Sequence, residues 1–235
     1  MAFDFEGGEL LLIDKPIEWT SFDAVNFIRS FLKHSYKIKK LKVGHAGTLD
    51  PLATGLLLVC TGKKTKTIQD LQDMDKVYTG TILLGQTTPS YDLESEPDAF
   101  FSTENITEAA IETARLKFIG TIEQVPPIFS AIKIDGKRAF LYARKNQDVT
   151  MIARKITISN FEITKVNLPE IEFRVDCSKG TYIRSLVHDF GVALNNGACL
   201  KSLRRTRIGN YAVEDSLTID RFRELVLQEQ TLNNS

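Results

Sequence analysis

The sequence has 235 residues, of which 43% are apolar, and this is enough to build a hydrophobic core in one large domain or two small ones. Because 30 Lys and Arg residues balance 30 Asp and Glu residues, composition alone indicates no polyanionic partner. The amino-terminal segment is acidic where a signal peptide is basic, and its only apolar run, Leu10 to Ile13, is too short to cross a membrane, so we expect a cytoplasmic protein.

The first third of the chain is predicted to form a strand, a helix and two further strands. ELLLIDKP is typical of a short strand that ends at its proline, which cannot donate to a continuing ladder. Thr20 and Asp23 have the spacing of a capping box, and apolar residues then recur at helical spacing, so a helix is expected over about 21 to 33. The apolar run LLLVC (56 to 60) indicates a buried strand, and VYTGTILLG (77 to 85) a second one.

The rest of the chain mixes further helices and strands. Residues 86 to 105 are polar and acidic, and we interpret them as a mobile loop. A helix capped by Thr107 is expected at about 107 to 118, followed by a short strand, a turn at Asp135-Gly136 and a helix near 137 to 144. Strands are then expected at 155 to 166 and 170 to 178, joined by a proline-containing turn. The last elements expected are a helix within 179 to 194 and a helix near 220 to 227 followed by a frayed tail. Because strands and helices do not alternate regularly, the pattern favours an α+β fold with a mixed, mostly antiparallel sheet flanked by helices.

Charge is unevenly distributed along the chain despite the net charge of zero. Six Lys or Arg residues and no acid lie between Arg29 and Lys42, whereas seven acids and no base lie between Asp92 and Glu112. Two more basic clusters are KKTK (63 to 66) and LKSLRRTR (200 to 207). Such clusters form either solvated faces or contacts for phosphates, and the sequence by itself leaves both interpretations open.

Several kinds of chemistry are disfavoured by what the sequence lacks. Its three cysteines, Cys60, Cys177 and Cys199, are odd in number and widely spaced, which argues against a disulfide framework and against a zinc site. Three histidines without an HExxH pattern argue against a catalytic metal. There is no P-loop, no GxGxxG and no GxSxG, so neither a nucleotide cofactor nor a serine nucleophile is predicted.

One carboxylate has an unusual setting, in GHAGTLDPLATG (44 to 55). Glycine, threonine and proline around Asp50 predict a rigid, sharply turned loop that holds one side chain in a fixed place. Such an aspartate can act as a covalent nucleophile or as a general base if an arginine keeps it ionised. It can also cap its own turn ahead of Pro51, and spacing alone favours this second interpretation.

Five further segments accompany this loop in a fixed order along nearly the whole chain. They are KPIEWTS (15 to 21), DKVYTGTILLG (75 to 85), QVPPIFSAIKIDGKRAFLYAR (124 to 144), CSKGTYIRSLVHDFG (177 to 191) and LRRTRIG (203 to 209). Together with GHAGTLDPLATGLLLVC (44 to 60), they resemble the motifs of the TruB family of tRNA pseudouridine-55 synthases, in family order. One glycine-rich loop could match by chance, but six ordered segments are strong grounds for the resemblance.

The resemblance implies a pseudouridine synthase catalytic core and an isomerase that converts uridine-55 in the T-loop of tRNA to pseudouridine. Asp50 matches the family's essential aspartate, which acts on a flipped-out uridine as nucleophile or base. Arg184 would pair with Asp50 and keep it ionised, a task for which arginine's permanent charge and bidentate geometry are suited. Since the reaction involves no redox change, no cofactor and no metal are expected.

The same resemblance assigns substrate contacts to four other residues. Tyr78 matches the tyrosine that stacks on the extruded base, and Tyr182 and Leu203 match further substrate-contacting positions. His45 matches the histidine that stacks where the flipped base had been. For these residues core packing is the alternative, above all for Leu203, and Lys15 is expected to meet either a phosphate or solvent.

The sequence departs from the family pattern in three places. Glu18 stands where the family's KPxGxTS has glycine, and Phe129 stands where its PPxYSA has tyrosine, which affects local packing more than activity. The chain ends at Ser235, whereas many relatives continue into a small RNA-binding domain. We therefore expect residues 1–235 to form a single catalytic domain without a C-terminal PUA-like domain.

Two other functions compete with a stand-alone tRNA isomerase. One is a non-catalytic RNA-binding or tRNA-folding module on the same scaffold, although such a module has no need to keep Asp50, Tyr78 and Arg184 together. The other is a guide-RNA-dependent synthase of the dyskerin type, against which the expected lack of a C-terminal domain argues. The expected partner is tRNA, and a monomer is the simplest assembly.

Overall fold

The computed structural model describes residues 3–130, 132–134, 136–143, 147 and 149–233. The chain divides into two compact units, the first containing Met1–Tyr78 and Arg204–Ser235 and the second containing Thr79–Leu203. This division does not test whether the whole chain acts as one catalytic domain, which stays a prediction. Within the described ranges, every helix is too short or too polar to traverse a bilayer.

Strands and helices follow one another irregularly along the chain. The strands are β1 (Leu10–Lys15), β2 (Val43–His45), β3 (Ala53–Thr61), β4 (Lys76–Leu84), β5 (Gln86–Thr87), β6 (Ala99–Phe100), β7 (Gly120–Gln124), β8 (Lys133–Ile134), β9 (Lys137–Arg138), β10 (Arg154–Asn167), β11 (Glu170–Cys177), β12 (Ala198–Ile208), β13 (Tyr211–Ala212) and β14 (Leu217–Thr218). The helices are α1 (Ser21–Ser35), α2 (Ile68–Asp73), α3 (Glu108–Leu116), α4 (Ala139–Ala143), α5 (Ile183–Ala193) and α6 (Ile219–Asn233). Strand pairs are mostly antiparallel with a parallel pair between β1 and β14, so the predicted α+β class with a mixed sheet is confirmed.

The first unit is built around β3. Strand β1 runs antiparallel to β3, and β14 lies parallel to β1. Successive side chains of a strand point to opposite faces, and both faces of β3 are covered. Leu57 and Val59 pack with helices α1 and α6, whereas Leu56 and Leu58 pack in a second cluster with Leu71 of α2. Burial on both faces explains why the apolar run in β3 is continuous rather than alternating.

Two helices begin at the residues that the sequence predicts. At α1, the N–H of Asp23 donates to Oγ1 of Thr20 (3.0 Å), and the N–H of Thr20 donates to Oδ2 of Asp23 (2.8 Å), which completes the capping box. At α3, the N–H of Ala110 donates to Oγ1 of Thr107 (3.2 Å). These bonds satisfy N–H groups that have no partner within the helix.

The second unit contains an antiparallel sheet with α3 and α5 packed against it. Strand β10 pairs with β11 on one side and β7 on the other, and β11 adjoins β4. Phe161 and Phe173 meet edge to face with ring centroids 6.0 Å apart, and Phe190 of α5 lies 5.8 Å from Phe161. Strands β10 and β11 are joined through Leu168 and Pro169, so the predicted proline-containing turn is confirmed.

The segment interpreted as a mobile loop, residues 86 to 105, has defined structure. It contains the antiparallel pair β5 and β6, and Thr88, Ser90 and Asp92 within it are buried. The hydroxyl groups of Thr88 and Ser90 both donate to the carbonyl of Asp92, at 2.6 and 3.2 Å. Outside this strand pair the segment is irregular, as predicted for a loop, and local side-chain hydrogen bonds rather than an apolar periodicity order its buried part.

The basic cluster LKSLRRTR lies entirely in strand β12, and most of its cations have partners within the protein. Arg205 is buried, Lys201 forms an ion pair with Glu170, and Nη2 of Arg204 lies 2.7 Å from a carboxylate oxygen of Asp14. Three of its four cations therefore have internal partners. This cluster is mainly structural rather than a surface for phosphates.

The carboxy-terminal tail is helical as far as Asn233, beyond the predicted end of the last helix. Glu229 of α6 accepts hydrogen bonds from the N–H of Phe3 (2.7 Å) and the hydroxyl of Tyr36 (2.6 Å). Burial and the Glu229 carboxylate both raise the pKa of Tyr36, which therefore stays a hydrogen-bond donor. Polar contacts of this kind extend the helix without an apolar pattern in its sequence.

Replacing Gly55 with alanine should destabilise the protein more than the same change at Gly120. Both glycines have positive φ, +100° and +96°, but a Cβ at Gly55 would lie 2.3 Å from the carbonyl oxygen of Arg205, whereas one at Gly120 would meet nothing within 4 Å. We expect Gly120→Ala to lower the free energy of unfolding by about 1–2 kcal/mol, the cost of the backbone conformation. Gly55→Ala should lower it by about 3 kcal/mol or more because the clash is added. Urea denaturation followed by circular dichroism measures both changes, and equal losses would contradict this account.

Candidate active site

The loop that carries Asp50 joins β2 to β3. The chain leaves the paired strands through Gly47, whose φ of +100° is a conformation that other residues rarely adopt. It returns at Ala53, whose N–H donates to the carbonyl of Asp50 (3.1 Å). Asp50 itself is half-buried. The turn therefore has the sharp form that the sequence predicts.

Ser21, the first residue of helix α1, fixes the residue before Asp50. Its hydroxyl accepts from the N–H of Leu49 (2.8 Å) and donates to the carbonyl of Leu49 (3.2 Å), and the side chain is only 1% exposed. One side chain thus satisfies both backbone polar groups of Leu49. The KPIEWTS segment, which ends at Ser21, therefore acts as a support for the loop.

Arg205 of β12 fixes the beginning of the loop. Its guanidinium is buried, and Nε donates to the carbonyl of Leu56 (2.8 Å). Nη2 donates to the carbonyl of Gly47 (3.2 Å), and Nη1 lies at 3.5 Å from that of Thr48. A buried cation is tolerated only when hydrogen bonds replace its water, and backbone carbonyls do so here. The fork of an arginine can reach several such oxygens at once.

Lys15, at the end of β1, supports the other end of the loop. Its Nζ donates to the carbonyls of Pro16 (2.9 Å), Trp19 and Pro51 (3.4 Å), and the side chain has no exposed surface. Both roles considered for this lysine, a phosphate contact and exposure to solvent, are therefore wrong. It ties the segment after β1 to the residue that follows Asp50.

Glu18 makes a second link between the same two segments. Its N–H donates to the carbonyl of Pro51 (2.8 Å), and its φ is +67°. A positive φ suits the glycine that the family motif has at this position. The glutamate adopts it at a cost of about 1–2 kcal/mol.

Burial governs the charges near Asp50. It lowers the pKa of Lys15 to about 8, while the negative charge of Asp50 opposes the shift and the positive charge of Arg205 adds to it. Burial also lowers the pKa of His45; a hydrogen bond with the backbone of Gly47 opposes this shift, and the positive charge of Arg205 adds to it. Nδ1 of His45 is buried without a hydrogen-bond partner in the described part of the chain. His45 is therefore mainly neutral at pH 7, with an aromatic ring suited to stacking.

In the second unit, Arg184 is held near the start of α5. Its Nη1 donates to the carbonyl of Ser90 (3.0 Å), and its Nη2 donates to the carbonyl of Phe129 (2.8 Å). Its Nε lies 3.5 Å from a carboxylate oxygen of Asp92, which is buried as well. Arg184 is 4% exposed, so it is a buried residue and not a surface arginine of the helix. Arg184 contacts Phe129 only at its backbone carbonyl. This bond therefore does not depend on whether the side chain is phenylalanine, as here, or tyrosine, as in the family motif.

Tyr182, which directly precedes α5, is held through its backbone and its ring. Its N–H donates to Oε1 of Gln124 (2.8 Å), and its carbonyl accepts from Nε2 of the same residue (3.0 Å). The guanidinium of Arg154 lies 4.7 Å from the centroid of the Tyr182 ring, within the range of a cation–π contact. Gln124 of β7 therefore holds the backbone of Tyr182, and Arg154 of β10 contacts its ring.

The six predicted site residues fall into two sets of three. The first unit holds His45, Asp50 and Tyr78, and the second holds Tyr182, Arg184 and Leu203. Tyr78 and Leu203 are buried, at 8% and 9% exposure. The pairing of Asp50 with Arg184 and the substrate-binding roles of the other residues stay predictions. Among the residues described, no three His, Cys, Asp or Glu side chains form a group that could hold a metal ion.

Sequence reasoning missed the polar side chains that support these residues. They are Ser21, Asp92, Gln124, Arg154 and Arg205. Their partners are distant in sequence: Arg205 lies 157 residues from Thr48. A signal existed for Ser21, Gln124 and Arg205, because all three lie inside segments that resemble family motifs.

Removing the buried amine of Lys15 should change how stability depends on pH. Folding lowers the pKa of Lys15 from 10.5 to about 8. Between these two pH values Lys15 binds more protons in the unfolded chain than in the folded one, so its contribution to the free energy of unfolding rises with pH. The difference in free energy of unfolding between the wild type and Lys15→Met, which cannot titrate, should grow by up to about 3 kcal/mol from about pH 7.5 to about pH 10. Urea titrations across this range measure it. A difference that stays constant would show that folding imposes no charge penalty on Lys15.

Two family models match the sequence. The model described as TruB family pseudouridylate synthase (N terminal domain) matches residues 33–183, and that of the tRNA pseudouridylate synthase B C-terminal domain matches residues 184–235. Curated relatives carry the name tRNA pseudouridine synthase B. The relative from Phocaeicola vulgatus is 53% identical over 227 residues, covering 97% of each chain. The relative from Flavobacterium johnsoniae is 56% identical over 218 residues, covering 92% of this chain and 95% of its own.

Solved structures share the fold. A chain in the crystal structure of a Cbf5-Nop10-Gar1 complex is 28% identical with a TM-score of 0.70, covering 94% of this chain and 54% of that one. A chain in the structure of an H/ACA RNP bound to a substrate RNA containing 2'-deoxyuridine is 27% identical with a TM-score of 0.67, covering 94% and 53%. This chain thus spans about half the length of those two chains, and the predicted pseudouridine synthase core is confirmed. Sequence motifs, family models and fold agree, and the chain belongs to the TruB family of pseudouridylate synthases.

Proposed function

We propose that the protein isomerises uridine-55 in the T-loop of tRNA to pseudouridine, with Asp50 as the catalytic residue. Membership of a pseudouridylate synthase family makes it an isomerase. The name tRNA pseudouridine synthase B, carried by relatives that match almost end to end, supports tRNA as the substrate. The observation that carries the assignment of Asp50 is its place in a loop held by three buried polar side chains, those of Lys15, Ser21 and Arg205.

The reaction exchanges one bond of the uracil base for another. The bond from N1 to C1' of the ribose breaks, the base turns, and a bond forms from C5 to C1'. The proton that leaves C5 is balanced by one taken up at N1, and no electrons are gained or lost. The protein must therefore stabilise the separated base and sugar and accept the C5 proton. A carboxylate can do either, by transient covalent attachment or by proton transfer.

Asp50 has the two properties that this role requires, a fixed direction and a charged environment. The carbonyl and N–H bonds around it fix the backbone on both sides of the residue. The interaction through which Asp50 raises the pKa of Lys15 equally favours the ionised form of Asp50. The family resemblance assigns Arg184 as a further positive partner, and the carbonyls that bind its guanidinium fix its orientation. We keep this pairing as part of the proposal.

The remaining predicted residues hold the uridine outside its stack. An extruded base is bound by stacking and by apolar contact, which Tyr78, Tyr182 and Leu203 would supply. His45 would occupy the gap that the base leaves in the RNA loop. Since burial keeps its imidazole mainly neutral, it can enter a base stack without the desolvation cost of a charge.

The proposal includes a cytoplasmic, monomeric enzyme in which residues 1–235 act as one catalytic domain. The alternative is a non-catalytic RNA-binding module on the same scaffold. The buried supports of the Asp50 loop favour an enzyme, because RNA binding alone does not require a carboxylate in a fixed position. A guide-dependent synthase differs in needing a second RNA, so tRNA supplied alone separates it from the proposed enzyme.

Replacing Asp50 with asparagine should abolish the reaction and leave tRNA binding intact. Asparagine has nearly the same shape but neither the charge nor the basicity of the carboxylate, so we expect kcat to fall by at least about 1,000-fold. Unmodified tRNA is incubated with each protein, and pseudouridine is mapped by chemical labelling and reverse transcription. The dissociation constant, from filter binding, should stay within about threefold of the wild type.

Asp70→Asn is the matched control, since Asp70 is an exposed acid of α2 in the same unit. This variant should modify tRNA like the wild type. If the wild type binds tRNA and modifies nothing, the RNA-binding module is the better description. Modification at a uridine outside the T-loop would overturn the assigned position, and activity in Asp50→Asn would overturn the assigned residue.

Loss of the Ser21 hydroxyl should slow the chemical step rather than weaken substrate binding. In Ser21→Ala the N–H and carbonyl of Leu49 lose their partner, and a displacement of Asp50 by about 1 Å is enough to reduce kcat by about 10- to 100-fold. We expect KM for tRNA to stay within about threefold. Ser159→Ala, which removes an exposed hydroxyl bonded to the carbonyl of Asp176 (3.1 Å), is the control. A loss of stability with unchanged kcat would assign Ser21 a purely structural role.

A further inference from the structure

Positive charge is concentrated in one part of the first unit. From Arg29 to Gln69 there are nine Lys or Arg residues, and Asp50 is the only Asp or Glu. Eight of the nine are lysines, and all eight are exposed. We refer to them as the lysine surface: Lys33, Lys37, Lys39, Lys40, Lys42, Lys63, Lys64 and Lys66.

Strand pairing joins two clusters that are separate in the sequence. Strand β2 runs antiparallel to β3 so that Val43 lies opposite Thr61. The N–H of Gly62 then donates to the carbonyl of Lys42 (2.9 Å). The end of the first cluster is therefore next to the beginning of KKTK. The third cluster, in β12, does not belong to this set, because most of its cations are engaged within the protein.

The charges of these lysines are not balanced by ion pairs within the described part of the protein. In the part of the chain that the structure describes, none of the eight lies within ion-pair distance of a carboxylate. The amino-terminal turn adjoins Gly62 and brings Asp4 and Glu6 to this side, but among the described residues neither acid forms an ion pair with one of these lysines. Eight exposed like charges repel one another, and a polyanion would remove that repulsion.

We propose that the lysine surface binds the phosphate backbone of the RNA substrate outside the nucleotide that reacts at Asp50, an inference that rests on the proposed function. Lysine is a compact charge on a flexible stem, which suits contacts that position an RNA without reading its sequence. Lys42 precedes Asp50 by eight residues, and eight residues span at most about 29 Å even when fully extended. The nearest residue of the lysine surface therefore lies within about 29 Å of Asp50, so a tRNA bound at Asp50 can also contact this surface.

Neutralising part of the lysine surface tests the proposal. In the variant Lys39→Gln, Lys40→Gln, Lys63→Gln and Lys64→Gln, the dissociation constant for unmodified tRNA should rise by at least about 10-fold at about 0.1 M salt. Because fewer counterions are released when fewer phosphates are neutralised, the slope of log K against log salt should become shallower by about one for each phosphate that the variant no longer binds. Filter binding over a range of salt concentrations gives both quantities.

The control removes the same charge from the second unit, by changing the exposed Lys117, Lys155, Lys165 and Lys201 to glutamine. It should keep the wild-type affinity and salt slope. Equal losses in both variants would overturn the proposal, since net charge rather than location would then decide binding. An unchanged salt slope in the first variant would overturn it as well.

Two further measurements distinguish RNA from a membrane and the lysine surface from the enzymatic function. Vesicles with anionic phospholipids test a membrane instead of RNA, and vesicle binding that is lost in the first variant while tRNA binding persists would overturn the proposal. Pseudouridine formation by the wild type tests the proposed function independently. If the wild type modifies tRNA and the first variant binds tRNA with unchanged affinity, the role proposed for the lysine surface is overturned and the enzymatic function stands. If the wild type binds tRNA through these lysines without modifying it, the surface is supported and the enzymatic function fails.

Discussion

Backbone carbonyls bonded to buried side chains set the shape of the Asp50 loop, and the position of the carboxylate depends on them. Arg205 holds the beginning of the loop, Ser21 the residue before Asp50, and Lys15 the residue after it. These supports come from a strand, a helix and another strand of the first unit. Two of them are cations, so the atoms that fix the geometry also supply positive charge beside the carboxylate.

This arrangement is costly for folding and favourable for a reactive group. Two cations are removed from water, and the lowered pKa of Lys15 shows that its charged form is disfavoured by that removal. Glu18 adds backbone strain at the same corner. The carbonyl bonds of Lys15 and Arg205 offset part of these costs, since they replace the lost water. The surrounding hydrophobic core, in which both faces of β3 are buried, stabilises the fold enough to offset the remaining costs.

Local signals in the sequence were sufficient to predict most helices and strands and the position of the Asp50 loop. The capping box at Thr20, the apolar run of β3 and the glycine-rich turn each depend on neighbouring residues, and each was predicted correctly. Contacts between distant residues were not predictable in this way. Arg205 in a basic cluster looks like a surface residue, and only the pairing of strands shows that its partners are carbonyls. The segment from 86 to 105 was predicted as a loop, but the order within it was not, because hydroxyl groups rather than apolar side chains give it that order.

The hydrogen bonding of the Asp50 loop has a consequence for the moment at which an RNA covers it. An exposed loop normally relies on water for its carbonyl groups, and a ligand that expels this water leaves them unsatisfied. Here the carbonyls of Gly47, Leu49 and Pro51 have partners within the protein. The loop can therefore be dehydrated without losing those bonds, and its conformation in dry surroundings is the one it already has in water.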